Sequence, residues 1–185
     1  MQAYLKIAFL AMALLVLSFR GALAITDDRD VLEIQLKKYE KLLSKSPENP
    51  VLQKNLLDLI SDSPFLDLKI RGARLGLRNS PQNHRLRLEL AETLLQKRRY
   101  NEARQEFKRL LEENYETMDS LLGMASVMEG IDEPAEALPY LAQAKTIDPE
   151  SGDLWEHFGD DYGWLGRYRE AFDAYDRALK YSDDE

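Results

Sequence analysis

An all-α solenoid of stacked antiparallel helix pairs is the fold this sequence predicts, and three observations carry that reading. Apolar residues recur at helical spacing in short blocks rather than in strand-like alternation. The blocks come in pairs separated by brief turns, as in Trp155 to Tyr162 and Tyr168 to Ala178 about Gly166. The pairs themselves recur with a period of about 34 residues, without insertion or deletion across three copies. A negative mean hydropathy together with 44% hydrophobic residues fits a helical chain whose apolar side chains are patterned inward.

The period is legible column by column. Trp155, Phe158, Gly159 and Tyr162 follow Leu121, Met124, Ala125 and Met128, which follow Arg87, Leu90, Ala91 and Leu94. Ala171, Tyr175 and Ala178 follow Ala137, Leu141 and Ala144, which follow Ala103, Phe107 and Leu110. A closing column reads Pro47, Pro81, Tyr115, Pro149 and Asp183. The small column (Ala91, Ala125, Gly159) lets paired helices approach, and the large column beside it (Leu90, Met124, Phe158) fills the gap between them. This series closely resembles the tetratricopeptide repeat, whose pattern is W-x₂-L-G-x₂-Y…A-x₃-F…P. The resemblance covers residues 30–185 and implies a right-handed superhelix of antiparallel helix pairs.

Taken in order, residues 1–24 stand apart. Lys6 and the amino terminus precede an apolar run from Ile7 to Phe19, and Ala22-Leu23-Ala24 supplies an A-x-A cleavage site, so the segment looks like a secretory signal peptide. The run is short for a membrane span of about 20 residues. Arg20 after the run opposes export, so the alternative is an uncleaved membrane anchor with Lys6 and Arg20 at opposite interfaces. Either reading places the repeats outside the cytoplasm, in a periplasm.

Residues 25–49 form an N-terminal capping helix or half-repeat, with Leu32, Leu36, Tyr39 and Leu43 on one stripe and Pro47 ending it. Residues 50–83 make a degenerate repeat. It starts at Asn49-Pro50 and departs from the family pattern at Lys69, where alanine is expected. Gly72 and Gly76, isolated within its second helix, relieve crowding between helices. Residues 84–117 are the first clear repeat, turning at Lys97-Arg98-Arg99. Residues 118–151 are the second, with Pro139 inside a helix and a mild kink expected there. Residues 152–185 are the third.

Charge and composition exclude several functions. The chain has no cysteine, which removes disulfides, thiolate ligands and thiol catalysis. A net charge of −8 argues against nucleic acid as ligand. Residues 50–117 carry 13 Lys and Arg against 10 Asp and Glu, whereas residues 118–185 carry 5 against 17. That acidic half is either a solvated surface or a docking surface for a basic partner. His84 and His157 are the only histidines, and no nucleophile–base–acid set can be assembled from them, so no enzyme and no cofactor are expected. His157 with Glu156 and Asp160 has spacing that could hold a divalent ion, but a solvated acidic helix face is the preferred reading and no metal is expected.

The candidate site is a concave groove made by the first helix of each pair. With Leu90, Ala91 and Leu94 facing inward, the outward columns give Lys54 and Asp58 in the degenerate repeat. They continue with Arg85, Leu88, Glu89, Glu92 and Gln96, then Asp119, Leu122 and Ser126, then Asp153, Glu156, Asp160 and Trp164. Some family members grip a peptide carboxylate with Lys, Asn and Arg. Here Glu92, Asp119 and Asp160 stand instead, so a basic or neutral protein segment with an apolar anchor is expected. The resemblance implies a non-enzymatic adaptor in envelope-complex assembly. Its alternatives are an apocytochrome-handling factor of cytochrome c maturation and an oligomerisation module. The last would act through a C-terminal face of Leu165, Phe172 and Leu179, left uncovered because Lys180 to Glu185 is too short for a capping helix, with a homodimer or a partner helix covering it. Membrane contact is expected only if residues 1–24 are retained.

Overall fold

The computed structural model describes residues 28–182 apart from 114 and 116, and the expected leader at 1–24 lies outside them. Among the described residues every regular element is helical. Helix α1 spans 28–43. Four pairs follow: α2 (Pro50–Ser61) with α3 (Leu66–Asn79), α4 (His84–Gln96) with α5 (Tyr100–Glu112), α6 (Met118–Gly130) with α7 (Pro134–Ile147), and α8 (Gly152–Trp164) with α9 (Tyr168–Ser182). From α2 onward each helix packs on its neighbours in sequence, and α2, α4, α6 and α8 also touch one another in series. That is the stacking of a solenoid, with the even-numbered helices forming one inner wall.

The same local chemistry starts each even-numbered helix. The side chains of Asn49, Asn83, Thr117 and Ser151 accept hydrogen bonds from backbone amides of the first turn. Each satisfies a donor that the helix itself leaves unpaired. These four residues share one column of the repeat. The turns into α5, α7 and α9 are equally regular, since Arg98, Asp132 and Gly166 all take the left-handed conformation with φ of 55°, 62° and 71°. Glycine occupies that position only in the last copy, although it is the residue that adopts the conformation without steric cost. Helix α7 continues through Pro139 without interruption from Pro134 to Ile147.

The core is one continuous cluster running the length of the stack. Ala103, Phe107 and Leu110 of α5 are fully buried, as are Ala137, Leu141 and Ala144 of α7. The two glycines of α3 sit where helices cross: a β-carbon at Gly72 would lie 2.6 Å from Ile60 Cγ2, and one at Gly76 would collide with Leu86. Lys69, which departs from the family's alanine, is almost buried. Its ammonium donates to the Ser61 carbonyl at 2.9 Å and pairs with Glu89 at 2.8 Å.

A further regularity links residues that share no chemistry class. Gln53, Arg87 and Trp155 occupy one column of the even-numbered helices, and each donates to the carbonyl of the proline six residues earlier. Gln53 Nε2 reaches Pro47 at 2.9 Å and Trp155 Nε1 reaches Pro149 at 2.7 Å, while Arg87 Nη2 donates to Pro81. Arg87 thus takes the tryptophan's role as well as its position. The remainder of its guanidinium is met by Glu106 at 3.0 Å and Glu113 at 3.6 Å. Trp155 lies between two cations, Lys145 of α7 and Arg177 of α9, each stacked on its ring.

Candidate binding groove

The inner wall carries the sequence-selected residues in three groups. At the α2–α4 end, Lys54 and Arg85 line one hollow of about 520 Å³ together with Pro50, Gln53, Leu57 and Pro81. In the middle, Glu92 is half-buried and its carboxyl is held above the usual carboxylate range, first by burial and then by the nearby charges of Glu89 and Asp119. Glu89 is neutralised by Lys69, whereas no ion pair is formed by Glu92 or Asp119 among the described residues. Leu88, Leu122 and Ser126 are half-buried in the same columns, two of them apolar. At the α8 end, Asp153, Glu156, Asp160 and Trp164 are exposed, Trp164 by 77%. Asp160 accepts a hydrogen bond from the Tyr175 hydroxyl at 2.6 Å. That bond, burial and the charges of Asp160 and Glu156 push the Tyr175 phenol up to about 12. The groove therefore carries Lys54 and Arg85 beside Glu48 where its first two repeats meet, and is acidic through its last two.

His157 behaves differently from the expected solvated face. It is half-buried and meets Glu129 of the preceding pair, with Nδ1 2.7 Å from Oε1. Burial works to lower its pKa, but the hydrogen bond and charge of Glu129 outweigh it and leave the imidazole above its ordinary value. The histidine ties α8 to α6. Among the described residues no group of three His, Cys, Asp or Glu is arranged to hold a metal ion.

Beneath this pair lies a residue that hydrophobic patterning does not single out. Asp161 is fully buried, and neither carboxyl oxygen has a hydrogen-bond partner. Burial, assisted by Glu129 and Asp160 and opposed by His157, raises its pKa to about 7. Its column holds Thr93 and Val127 in the earlier copies, both buried, and that comparison is the signal available in the sequence.

The C-terminal residues Leu165, Phe172 and Leu179 are exposed, the last two by 72% and 68%. Tyr175 gives the clearest comparison across copies. Its column is 0% exposed at Phe107 and Leu141 but 40% exposed at Tyr175. In the earlier copies the following helix closes over this position, as Phe107 does against Gly123 of α6.

Comparison with known proteins agrees with this architecture. A tetratricopeptide-repeat family model matches residues 75–124. A crystal structure of MamA superposes with a TM-score of 0.71 at 16% identity, covering 83% of this chain and 90% of that one. MamA from Desulfovibrio magneticus RS-1 gives 0.71 at 11% identity, with coverage of 85% and 89%. A thermophilic TPR protein of Thermus thermophilus gives 0.65 at 20% identity, with coverage of 71% and 75%. No curated protein matches the chain by sequence.

Proposed function

On the premise that the chain is a tetratricopeptide-repeat protein, we propose that it is an exported, non-enzymatic scaffold whose groove holds a segment of another protein in the cell envelope. One observation carries the reading most: the inner wall ends in a 77% exposed tryptophan next to Glu156 and Asp160, with Glu92 and Asp119 further along the groove. A large aromatic with no role in the core, beside carboxylates that lack ion-pair partners, suits a segment with a buried apolar anchor and basic residues around it. The basic hollow at Lys54 and Arg85 favours an acidic group at the opposite end of the same segment.

The test is capture from the envelope fraction by the wild type and by Trp164→Ala. Loss of one specific protein from the Trp164→Ala eluate, with unchanged helicity, supports the groove; equal capture by both removes its anchor. Binding should weaken as salt rises, because exposed charges are screened over about 10 Å at 0.1 M ionic strength. Export has its own check. N-terminal sequencing should return Ile25 from a soluble envelope fraction, and Met1 on a cytoplasmic protein would end that part of the reading.

A further inference from the structure

The two ends of the stack present different helical faces, and the faces are complementary. At the trailing end, Tyr168, Phe172, Tyr175 and Leu179 form one stripe along α9, all exposed. On the α8 side this stripe is edged by Glu156 and Asp160, whose charges both act on Tyr175. In the earlier pairs the next helix packs on α5 and α7, and the Tyr175 column is buried at Phe107 and Leu141. The Phe172 and Leu179 columns hold exposed charges there at Arg104 and Lys145, so only α9 is apolar along the whole stripe. The surface is thus an acidic-edged apolar seat for one more helix.

At the leading end, α1 uses Leu32, Leu36 and Leu43 to seal the core and leaves its opposite side in solvent. That outer side presents Val31, Ile34 and Leu42, with Ile34 66% exposed, among Lys38, Lys41 and Lys45. None of these lysines makes an ion pair among the described residues, while Glu33 and Glu40 on the inner half are paired with Arg29 and Arg78. It is a cationic, apolar helical face.

We propose that the trailing face of one chain receives the outer face of α1 of a second chain, so that copies join head to tail. Ile34 and Val31 would cover the Phe172 and Leu179 stripe, and Lys38 and Lys41 would meet Glu156 and Asp160. Two-fold pairing of trailing faces would instead bring those carboxylates towards their own copies. A head-to-tail contact uses two different patches, so it propagates instead of closing at a dimer. The α1 face could also lie on an anionic lipid surface, but then the α9 stripe stays uncovered.

The absence of cysteine gives a direct test on the full chain. Ile34→Cys and Phe172→Cys chains are treated with a short bismaleimide, singly, mixed, and as a double variant, with circular dichroism to confirm helicity. The expected result is no product from either single variant, a dimer and nothing larger from the mixture, and a ladder from the double variant. Adding Lys38→Glu and Lys41→Glu to the Ile34→Cys chain should abolish the mixed dimer. A dimer from Phe172→Cys alone would identify a two-fold contact and overturn the proposal. So would an unlinked mixture, with or without protection of α1 by phosphatidylglycerol vesicles. Glu156 and Asp160 border both the groove and this seat, so ligand capture is read through Trp164→Ala and the junction through the Ile34–Phe172 cross-link, which keeps the two failures distinguishable.

Discussion

Replacing Asp161 with valine, the residue of the same column one repeat earlier, should stabilise the last helix pair at neutral and alkaline pH. Asp161 is fully buried, its carboxyl oxygens are unpartnered, and its pKa is raised from 3.8 to about 7. A carboxyl held above its ordinary value keeps a proton that the unfolded chain has already released. Its stabilising effect is therefore complete below pH 3.8 and is lost as pH rises through about 7. At 1.36 kcal/mol per pH unit, that interval corresponds to roughly 4 kcal/mol. Val127 shows that the site accepts valine, since it is 0% exposed in the equivalent place. The variant should differ least from the wild type near pH 4, where the carboxyl is neutral, and its advantage should grow by about 2–4 kcal/mol by pH 8. Urea denaturation read by tryptophan fluorescence measures the relevant unit, because Trp155 and Trp164 are the only tryptophans and both lie in α8. His157, also held above its ordinary value, will leave a smaller fall in stability above pH 6.5 in both proteins. An Asp161→Val chain that is less stable than wild type at pH 8, or that keeps the full pH dependence, would refute the reasoning.

Other outcomes follow from the same geometry. His157→Ala should cost about 1–2 kcal/mol at pH 6 and less at pH 8, because the charged imidazole carries the bond to Glu129; urea titration at the two pH values compares them. Arg87→Ala should cost about 1–3 kcal/mol in the same assay, since the Pro81 carbonyl and Glu113 lose their partner while Glu106 keeps only Arg109 at 3.2 Å. Gly72→Ala should lower stability by about 1–3 kcal/mol through the clash with Ile60. Gly163→Ala, where a β-carbon meets nothing within 4 Å, should raise it by up to about 1 kcal/mol. Thermal melts of the two glycine variants should move in opposite directions.

Periodicity makes the fold legible because every apolar column has one job that is repeated along the stack. Phe107, Leu141 and Ala144 can be assigned to the core without coordinates, since their columns hold only aliphatic or aromatic residues in the three clear copies. Legibility fails where one position is filled by different chemistries. Gln53, Arg87 and Trp155 share a hydrogen bond to a proline carbonyl, a role that hydrophobic patterning does not encode. Lys69 reads in the sequence as a departure from the repeat, whereas its stem packs where the alanine would and its ammonium finds Ser61 and Glu89. His157 reads as part of a solvated face because its immediate neighbours in sequence are acidic. Its actual partner, Glu129, lies in the preceding pair, beyond the reach of local spacing. Groove residues can be picked out by elimination from the core, but their grouping into a basic end and an acidic end needs the hollow at Lys54 and Arg85 and the crowding at Glu92.

The struts from Gln53, Arg87 and Trp155 also set how the stack deforms. Each pins the start of an even-numbered helix to the loop before it, so bending there must break a hydrogen bond. In α6 the corresponding residue is Leu121, whose side chain has nothing to donate. The junction between α5 and α6 is tied differently, by the stacking of Tyr115 on His84 and by the pairing of Glu113 with His84 and Arg87. That junction falls at the boundary between the mildly basic half of the array and the strongly acidic half, so the contacts of Glu113 and Tyr115 join two oppositely charged bodies.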